Sequence, residues 1–455
     1  MMNMQKEGYE MAMKNIDTTE LTAMREAYVK SDKARVVRNA LTKNDIGTIS
    51  RVLDAEAQNP NIFSIDLKTL PVTNQKQSGR CWIFSSMNVL REMIAKKYGI
   101  KEFELSQNYI AFYDKLEKAN WFMECTLQEL DAPVDSENMR FLLDNAVGDG
   151  GQWNMVQSLV KKYGIVPKTA MPETYQSSHT GNMNRLLNRR LRKFVADTRK
   201  AAREGNRDEI PSLKKQALSE IYGLIADCFG LPPEEFTFQY YDKDDKAHAE
   251  YHVTPRQMYE KYLGTDVDDY IYCINAPTDD KEFYRTYTVK NLGNVVGGNR
   301  IEMLNIPAKD LKQGILDQLK SEEPVWFGCD CSPDGDRNSG LWDDQQYDYE
   351  NTFDMHQEMS RAEMLDTHQS AMNHAMVFTG VNLDENGKPD RWKIENSWGE
   401  KIANKGYFIC SDTWFDKYVY VAAINRKFLS KKALDALKKE PEELAPWDPF
   451  GTLAD

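Results

Sequence analysis

The sequence predicts an α+β protein, because helical patterns fill its first half and strand-like runs fill its last third. Apolar residues at Ile83, Met87, Leu90 and Ile94 are spaced by four, three and four positions, the pattern of a buried helix. Later runs rich in apolar and β-branched residues are typical of strands: EPVWFGCD, HAMVFTGVNL, DRWKIENSW and YVYVAAIN. Between these halves, EFTFQYYDKDDKAHAEYHV indicates a hairpin.

The composition is that of a soluble globular protein, with 455 residues, 41% hydrophobic residues and a net charge of −13. No apolar run approaches the roughly 20 residues that span a bilayer, and the first residues lack the apolar core of a signal peptide. Seven scattered cysteines, an odd number, favour a reducing compartment over a disulfide framework. We therefore expect a cytoplasmic protein that neither enters a membrane nor binds nucleic acid, since its net charge is negative.

The same patterns divide the chain into five segments. Residues 1–60 form a polar, partly helical N-terminal extension, and residues 61–175 form a helical lobe. A basic helical and hairpin region follows at residues 176–300, and a strand-rich region follows at 301–440. Residues 441–455 end in APWDPFGTLAD, whose prolines and glycine forbid a continuous helix while its apolar side chains predict an arm lying in a groove.

Cys81 is the strongest candidate nucleophile, although a cysteine is more often a small buried hydrophobe. It follows the polar loop QSGR, so it need not be buried. It also begins a helix, whose N-terminal N–H groups and dipole favour a thiolate. Gln75 lies six residues upstream on a loop that can fold back beside it, where its amide can donate to a developing oxyanion.

His374 is the candidate base, because it opens an apolar strand whereas the other five histidines lie in polar contexts. An isolated histidine there would more often be structural. Asn396, at the end of another strand, can accept from the imidazole and fix its tautomer. Trp398 lies two residues further on, where an indole can shield that hydrogen bond from water.

Cysteine, histidine and asparagine in this order resemble the papain-type cysteine peptidases. The motifs that carry the resemblance are NQKQSGRCWIFSS, NHAMVFTG and IENSWG. GDGGQW is similar to the glycine segment of the substrate cleft, where Gly150 and Gly151 would let a peptide backbone approach closely. Two features depart from the usual pattern: Cys81 and His374 are 293 positions apart, and Ser78 replaces the second cysteine of the nucleophile signature.

These departures resemble the branch that contains bleomycin hydrolase and bacterial aminopeptidase C, as do LSQNYIAFYDKLEKANWF and PWDPFGTLA. The resemblance implies a papain-like core of a helical lobe and a β-sheet lobe, with the insertion and the N-terminal extension added. It further implies a homohexamer around an internal chamber, with the C-terminal arm in the subunit's own cleft. The terminal carboxylate would then pair with a substrate's α-ammonium, from Asp455 or, after self-processing, from Ala454.

The expected function is therefore that of a thiol protease, a hydrolase that removes N-terminal residues from peptides without a metal or an organic cofactor. Cys81 and His374 would act as a thiolate–imidazolium pair, and Gln75 with the Cys81 backbone amide would stabilise the oxyanion. Two alternatives stay open. The chain could be a papain-type endopeptidase whose first 60 or so residues are an inhibitory prosegment, or a non-catalytic binding homologue. The arm could also pack on a neighbouring subunit with no role in specificity.

Two further patterns carry less weight. CDC at Cys329 and Cys331 has metal-like spacing, but no second pair completes a site, which favours ordinary core or loop cysteines. The basic stretch from Arg185 to Lys215 has interleaved acidic residues, which favours a solvated or subunit-facing helix over a nucleic-acid surface.

Overall fold

A computed structural model describes residues 13–264 and 266–454. Within these residues the α-helices are α1 (Thr18–Val29), α2 (Asp32–Ala40), α3 (Ile46–Ser50), α4 (Ala55–Gln58), α5 (Cys81–Tyr98), α6 (Gln107–Gln128), α7 (Glu137–Asp144), α8 (Trp153–Tyr163), α9 (Gly181–Arg203), α10 (Ile210–Phe229), α11 (Pro255–Met258), α12 (Ala308–Lys320), α13 (Tyr349–Phe353), α14 (Arg361–Asp366), α15 (Asp412–Tyr418) and α16 (Lys431–Ala436). None of the helices in the described ranges is long and apolar enough to cross a bilayer.

The strands are β1 (Ile65–Asp66), β2 (Phe236–Tyr241), β3 (Ala247–Val253), β4 (Tyr270–Ile274), β5 (Arg285–Val289), β6 (Met303–Asn305), β7 (Val325–Cys329), β8 (Gly335–Asp336), β9 (Leu341–Trp342), β10 (His374–Leu383), β11 (Pro389–Glu395), β12 (Tyr407–Ser411), β13 (Val419–Asn425) and β14 (Glu442–Leu444). One sheet has the order β14-β5-β6-β4-β13-β7-β10-β11-β12-β9-β8, with β1 paired to β10. β2 and β3 form a separate hairpin. The four strand-like runs and the hairpin predicted from the sequence are confirmed.

The described chain separates into two compact units. The smaller contains the described residues up to Asp54 together with Gln345–Glu358, and its helices are α1, α2, α3 and α13. A bridge between Arg51 and Tyr347 joins its two segments. The larger unit contains Ala55–Asp344 and the described residues from Met359 onward. The five-segment division predicted from the sequence stays a prediction.

Helix α5 forms where the apolar stripe predicts it. Ile83, Met87, Leu90 and Ile94 are all fully buried, and the helix ends at Gly99, whose φ of +62° is the left-handed conformation that favours glycine. Trp82 on this helix donates its indole N–H to the carbonyl of Asp149, which ties the helix to the glycine loop before α8. The helix therefore holds its first residue, Cys81, in a fixed position.

The larger unit has two clusters of buried apolar side chains. One is formed mainly by α5, α6, α8, α9 and α10, and the other by the sheet with α12 and α15. The helical first half and sheet-rich second half predicted from the sequence are confirmed as an α+β fold. Strands β4 and β5 lie within residues 176–300 yet pair inside the large sheet, β4 directly with β13.

The basic stretch around α9 and α10 makes contacts within the larger unit. Arg190 pairs with Glu220, and Lys214 pairs with Glu124 on α6. Arg199 donates to the backbone carbonyls of Glu129 and Ala132. These side chains hold the two helices to their neighbours. The absence of nucleic-acid binding by this stretch stays a prediction.

Candidate active site

Cys81 lies at the N-terminus of α5 and lines a cavity of about 740 Å³. The side chain is only 5% exposed, more buried than the polar loop before it suggested. The backbone N–H of Ala375 points at its Sγ at 3.4 Å. Gln75, Gly150 and His374 line the same cavity, so residues from three distant motifs of the sequence meet there.

The tautomer of His374 follows from the orientation of Asn396. Asn396 Oδ1 accepts the backbone N–H of Ser397 at 2.7 Å, which identifies that atom as the oxygen. The same oxygen lies 2.9 Å from His374 Nε2, so Nε2 is the nitrogen that carries the proton and donates. His374 Nδ1 is therefore left as the acceptor, which is the form a general base needs.

Trp398 contacts the histidine of this pair. Its ring stacks on the His374 imidazole, with ring centres 5.0 Å apart and planes 26° apart. The guanidinium carbon of Arg337, in the turn between β8 and β9, lies 4.1 Å from the centre of the Trp398 ring. A cation on an indole face is attracted by the ring's quadrupole, so Arg337 adds a positive charge near the imidazole.

Gln75 is oriented by the residue that follows Asn396. Ser397 Oγ donates to Gln75 Oε1 at 2.5 Å, and the Gln75 backbone N–H donates to the Ser397 carbonyl at 2.8 Å. Gln75 Nε2 gives one hydrogen to the Ser78 carbonyl at 2.7 Å. An amide nitrogen has two hydrogens, so the second is available for an oxyanion in the cavity.

Asp149 organises the opposite side of the cavity. Its carboxylate accepts the Gly79 backbone N–H at 2.8 Å, Asn184 Nδ2 at 2.8 Å and the buried Lys115 ammonium at 2.6 Å. Burial alone would raise the pKa of Asp149, but Lys115 and the hydrogen bonds outweigh it and hold that pKa far below its usual range. Asp149 is therefore ionised, and it connects the loop before Cys81 to the glycine segment.

Close packing and a buried ammonium hold the glycine segment beside the cavity. A Cβ on Gly151 would lie 2.4 Å from the Trp82 ring, so only glycine fits there. The Gly150 carbonyl accepts from the buried ammonium of Lys118, which also pairs with Asp114 at 3.0 Å. The Gly151 N–H is left to donate to a backbone segment packed against it.

That backbone is the chain's own C-terminal arm. The Leu453 carbonyl accepts the Gly151 N–H at 2.8 Å, and Gln152 Nε2 donates to the Phe450 carbonyl at 2.7 Å. Phe450 and Leu453 are buried, and Leu453 and Thr452 line the same cavity as Cys81. Ala454 lies beside a neighbouring cavity of about 270 Å³, and Asp455 is outside the described residues.

Burial disfavours a separate charge on either reacting group. It raises the pKa of the Cys81 thiol to about 11, against the opposing effect of the Ala375 N–H. It lowers the pKa of His374 to about 4, where the Asn396 hydrogen bond opposes it and the Arg337 charge adds to it. Burial therefore acts against the charged form of each group taken singly, and the thiolate–imidazolium pair expected from the sequence stays a prediction.

Sequence reasoning missed the residues that position these groups. Ser397 lies inside the IENSWG motif, and Asp149 inside GDGGQW, but neither motif shows which partner each side chain finds. Arg337 has no local signal at all. Cys329 is buried in β7 opposite His374, and across the described ranges no three His, Cys, Asp or Glu side chains form a group that could hold a metal.

Comparison with known proteins gives consistent matches. A model of the peptidase C1-like family matches residues 15–451. Aminopeptidase C from Listeria monocytogenes is 43% identical over 92% of this chain and 94% of its own length. Aminopeptidase C from Streptococcus thermophilus is 42% identical over 94% and 96%. The crystal structure of PepW from Lactobacillus rhamnosis superposes with a TM-score of 0.94 at 43% identity, covering 96% of this chain and 99% of that one.

These matches confirm the resemblance predicted from the sequence, both to the papain-like peptidases and to their aminopeptidase C branch. They cover nearly the whole chain, including the insertion and the strands that carry His374 and Asn396. The chain belongs to the peptidase C1-like family, the papain-like cysteine peptidases.

Proposed function

We propose that this protein removes residues from the free N-terminus of peptides by Cys-His-Asn catalysis, with its C-terminal arm limiting cleavage to free N-termini. The coarser part rests on the family and on relatives that are named aminopeptidase C: the chain is a papain-like cysteine aminopeptidase. The single observation that carries the finer part is the arm, whose Leu453 lines the Cys81 cavity and accepts a hydrogen bond from the Gly151 N–H.

In the proposed reaction, Cys81 Sγ attacks the carbonyl carbon of the first residue as its proton passes to His374 Nδ1. The positive charge on His374 and the negative charge on the substrate oxygen form in the same step, so the net charge of the cavity does not change. His374 then gives the proton to the leaving amine, which departs as the first product. A water activated by His374 next hydrolyses the thioester and regenerates the thiol.

Asn396 and Gln75 have supporting roles in this proposal. Asn396 holds the Nε2–H tautomer and stabilises the imidazolium that forms on His374. The second hydrogen of Gln75 Nε2 and the Cys81 backbone N–H donate to the oxygen of the tetrahedral intermediate. Removing one such donor typically costs about 10²–10³-fold in kcat.

The arm is anchored well enough to act as a fixed barrier. Asp448 pairs with Lys281 at 2.9 Å, and both side chains are nearly buried. Strand β14, just before the arm, pairs with β5. Additional residues on the N-terminal side of the cleaved residue would lie on the Gly151 side and would collide with the backbone of Leu453. This favours cleavage after one residue.

The remaining elements of the proposal rest on the resemblance. Pairing of a substrate's α-ammonium with the terminal carboxylate involves Asp455, or Ala454 after self-processing, and stays a prediction. A cytoplasmic homohexamer with inward-facing sites, and the absence of nucleic-acid binding, stay predictions as well.

One experiment tests the proposal. An aminoacyl-coumarin amide and its N-acetylated twin are compared with the wild type, with Cys81→Ala and with a truncation that ends at Leu444. We expect the wild type to cleave only the free amine, Cys81→Ala to cleave neither, and the truncation to gain activity on the acetylated twin. Cys228→Ala, the same substitution on α10, is the matched control and should retain activity.

Each opposite result identifies an alternative. Equal cleavage of both substrates by the wild type would favour an endopeptidase whose arm does not limit access. Cleavage of neither under reducing conditions would favour a non-catalytic binding homologue.

A further inference from the structure

We propose that Arg337 binds a carboxylate on the leaving-group side of the scissile bond, so that the enzyme prefers peptides with a negative charge just after the residue it removes. This inference rests on the proposed function and deepens it by naming a substrate feature. The carboxylate comes either from the C-terminus of a short peptide or from an acidic side chain.

The leaving group must lie on the side of His374 that the arm does not fill. The arm occupies the Gly151 side of the Cys81 cavity, through Leu453 and Thr452. The leaving amine takes its proton from His374, so the residue that carries this amine passes next to the imidazole. The groups stacked beyond that imidazole are Trp398 and Arg337.

Arg337 is an exposed cation without a carboxylate partner. Its guanidinium carbon lies 4.1 Å from the centre of the Trp398 ring, and in the part of the chain that the structure describes it makes no ion pair. Stacking uses the flat face of the guanidinium and leaves its N–H groups at the edge free to donate. A held guanidinium with free N–H groups is suited to bidentate binding of a carboxylate.

Asp330, the acidic residue that lines the Cys81 cavity, has hydrogen-bond partners other than Arg337. Its oxygens accept from the Ser332 N–H at 3.0 Å, Asn373 Nδ2 at 2.6 Å and Ser370 Oγ at 2.8 Å. Its charge is therefore spread over neutral donors.

The test uses matched substrates that share a first residue X. X-Ala is compared with X-Ala-amide, X-Asp-amide with X-Asn-amide, and the X-coumarin amide supplies a neutral leaving group. We expect wild-type kcat/KM to favour the charged member of at least one pair about tenfold or more, the strength of a charge-assisted hydrogen bond. The first pair reports a terminal carboxylate and the second an acidic side chain.

Arg337→Gln should remove that preference, so that the charged and neutral members of each pair are cleaved with equal kcat/KM, whereas Arg337→Lys should keep part of it. Arg189→Gln, which removes another exposed arginine on α9, is the matched control for net charge and should keep the full preference. A preference that survives in Arg337→Gln, or an equal loss on every substrate, would overturn the inference. A wild type that cleaves none of the five substrates would instead overturn the proposed function.

Discussion

The two walls of the cleft hold their side chains by different interactions. On the sheet wall, His374, Asn396, Ser397 and Gln75 form a chain of neutral hydrogen bonds. On the helix wall, buried charges dominate: Asp149 with Lys115, and Lys118 with Asp114. The difference shows that fixed charges are used where a loop must be rigid, and neutral groups where a proton must move.

A physical reason supports this division. A buried charge in direct contact with the thiol or the imidazole would favour one protonation state throughout the reaction, whereas each group must change state twice. Arg337 is exposed and contacts the Trp398 ring instead. On the helix wall Asp149 acts on the Gly79 loop and on the backbone before Gly150, and its effect on the Cys81 pKa is smaller than that of burial. The charges therefore shape the cleft without taking part in the chemistry.

The largest expected effect comes from breaking the helix wall. Asp149→Ala leaves the Lys115 ammonium buried without its carboxylate and removes the acceptor of Gly79. We expect the free energy of unfolding to fall by about 3–5 kcal/mol, measured by chemical denaturation. Asp144→Ala, an exposed acid at the end of α7, should change it by less than about 0.5 kcal/mol. Equal stability of the two variants would mean that the ion pair is not what holds this wall.

Breaking the sheet wall should affect rate more than stability. Gln75→Ala removes an oxyanion donor but no charge, so we expect kcat to fall by about 10²–10³-fold. Gln77→Ala, an exposed glutamine two residues along the same loop, is the matched control and should keep kcat within about twofold. If Gln75→Ala instead raised KM alone, Gln75 would be a substrate-binding residue and not an oxyanion donor.

The contrast also explains what the sequence could predict. The four candidate catalytic residues lie in short motifs, and their residue types indicate a nucleophile, a base and hydrogen-bonding amides. The sequence alone therefore predicts them: Cys81, His374, Asn396 and Gln75. Their supports were not found, because Lys115 reaches Asp149 across 34 positions and Ser397 reaches Gln75 across 322. Such pairs depend on how the sheet and helices pack. Strand β5 was missed because Arg285–Val289 is short and pairs with β6 and β14, which are distant in sequence.

Glu395 is a buried carboxylate on the sheet wall and can be compared with Asp149 on the helix wall. It is buried directly before Asn396, and its Oε1 accepts from Asn88 Nδ2 at 2.8 Å and from Arg91 at 3.0 Å, both on α5. Burial raises the pKa of Glu395 to about 7, against the opposing charges of Arg91 and Lys393, while Glu92 acts in the same direction as burial. Burial therefore outweighs the neighbouring cations at Glu395, in contrast to Asp149, whose pKa is held low.

The sign of the resulting pH dependence follows from that pKa. An acid with a raised folded-state pKa binds more protons when folded, so its stabilising contribution is complete below about pH 4.5 and is lost as pH rises through about 7. We expect the stability difference between wild type and Glu395→Gln to shift against the wild type by roughly 3 kcal/mol between pH 4 and pH 8. Exposed Glu385→Gln is the control and should show no such trend; a flat difference for Glu395→Gln would mean that its carboxylate titrates normally.

The smallest expected effect concerns the arm, which lies between the two walls. Thr452 Oγ1 lies 2.9 Å from the Met372 carbonyl and 2.8 Å from the Pro449 carbonyl, which share its single hydrogen, and the first contact ties the arm to the loop before His374. Thr452→Val keeps the shape and removes the donor, a loss of about 1 kcal/mol. We expect cleavage of the N-acetylated coumarin amide to rise about fivefold relative to the free amine.

Thr42→Val, which removes a hydroxyl bonded to a carbonyl in the smaller unit, should leave that ratio unchanged. A Thr452→Val enzyme that still rejects the acetylated substrate would show that the buried side chains of Phe450 and Leu453 hold the arm by themselves. Apolar burial has no preferred direction, so the arm could then shift along the cleft without leaving it. In that case only the hydrogen bonds from Gly151 and Gln152 would prevent such a shift. The helix wall would then determine how far a substrate's N-terminus can extend into the cleft.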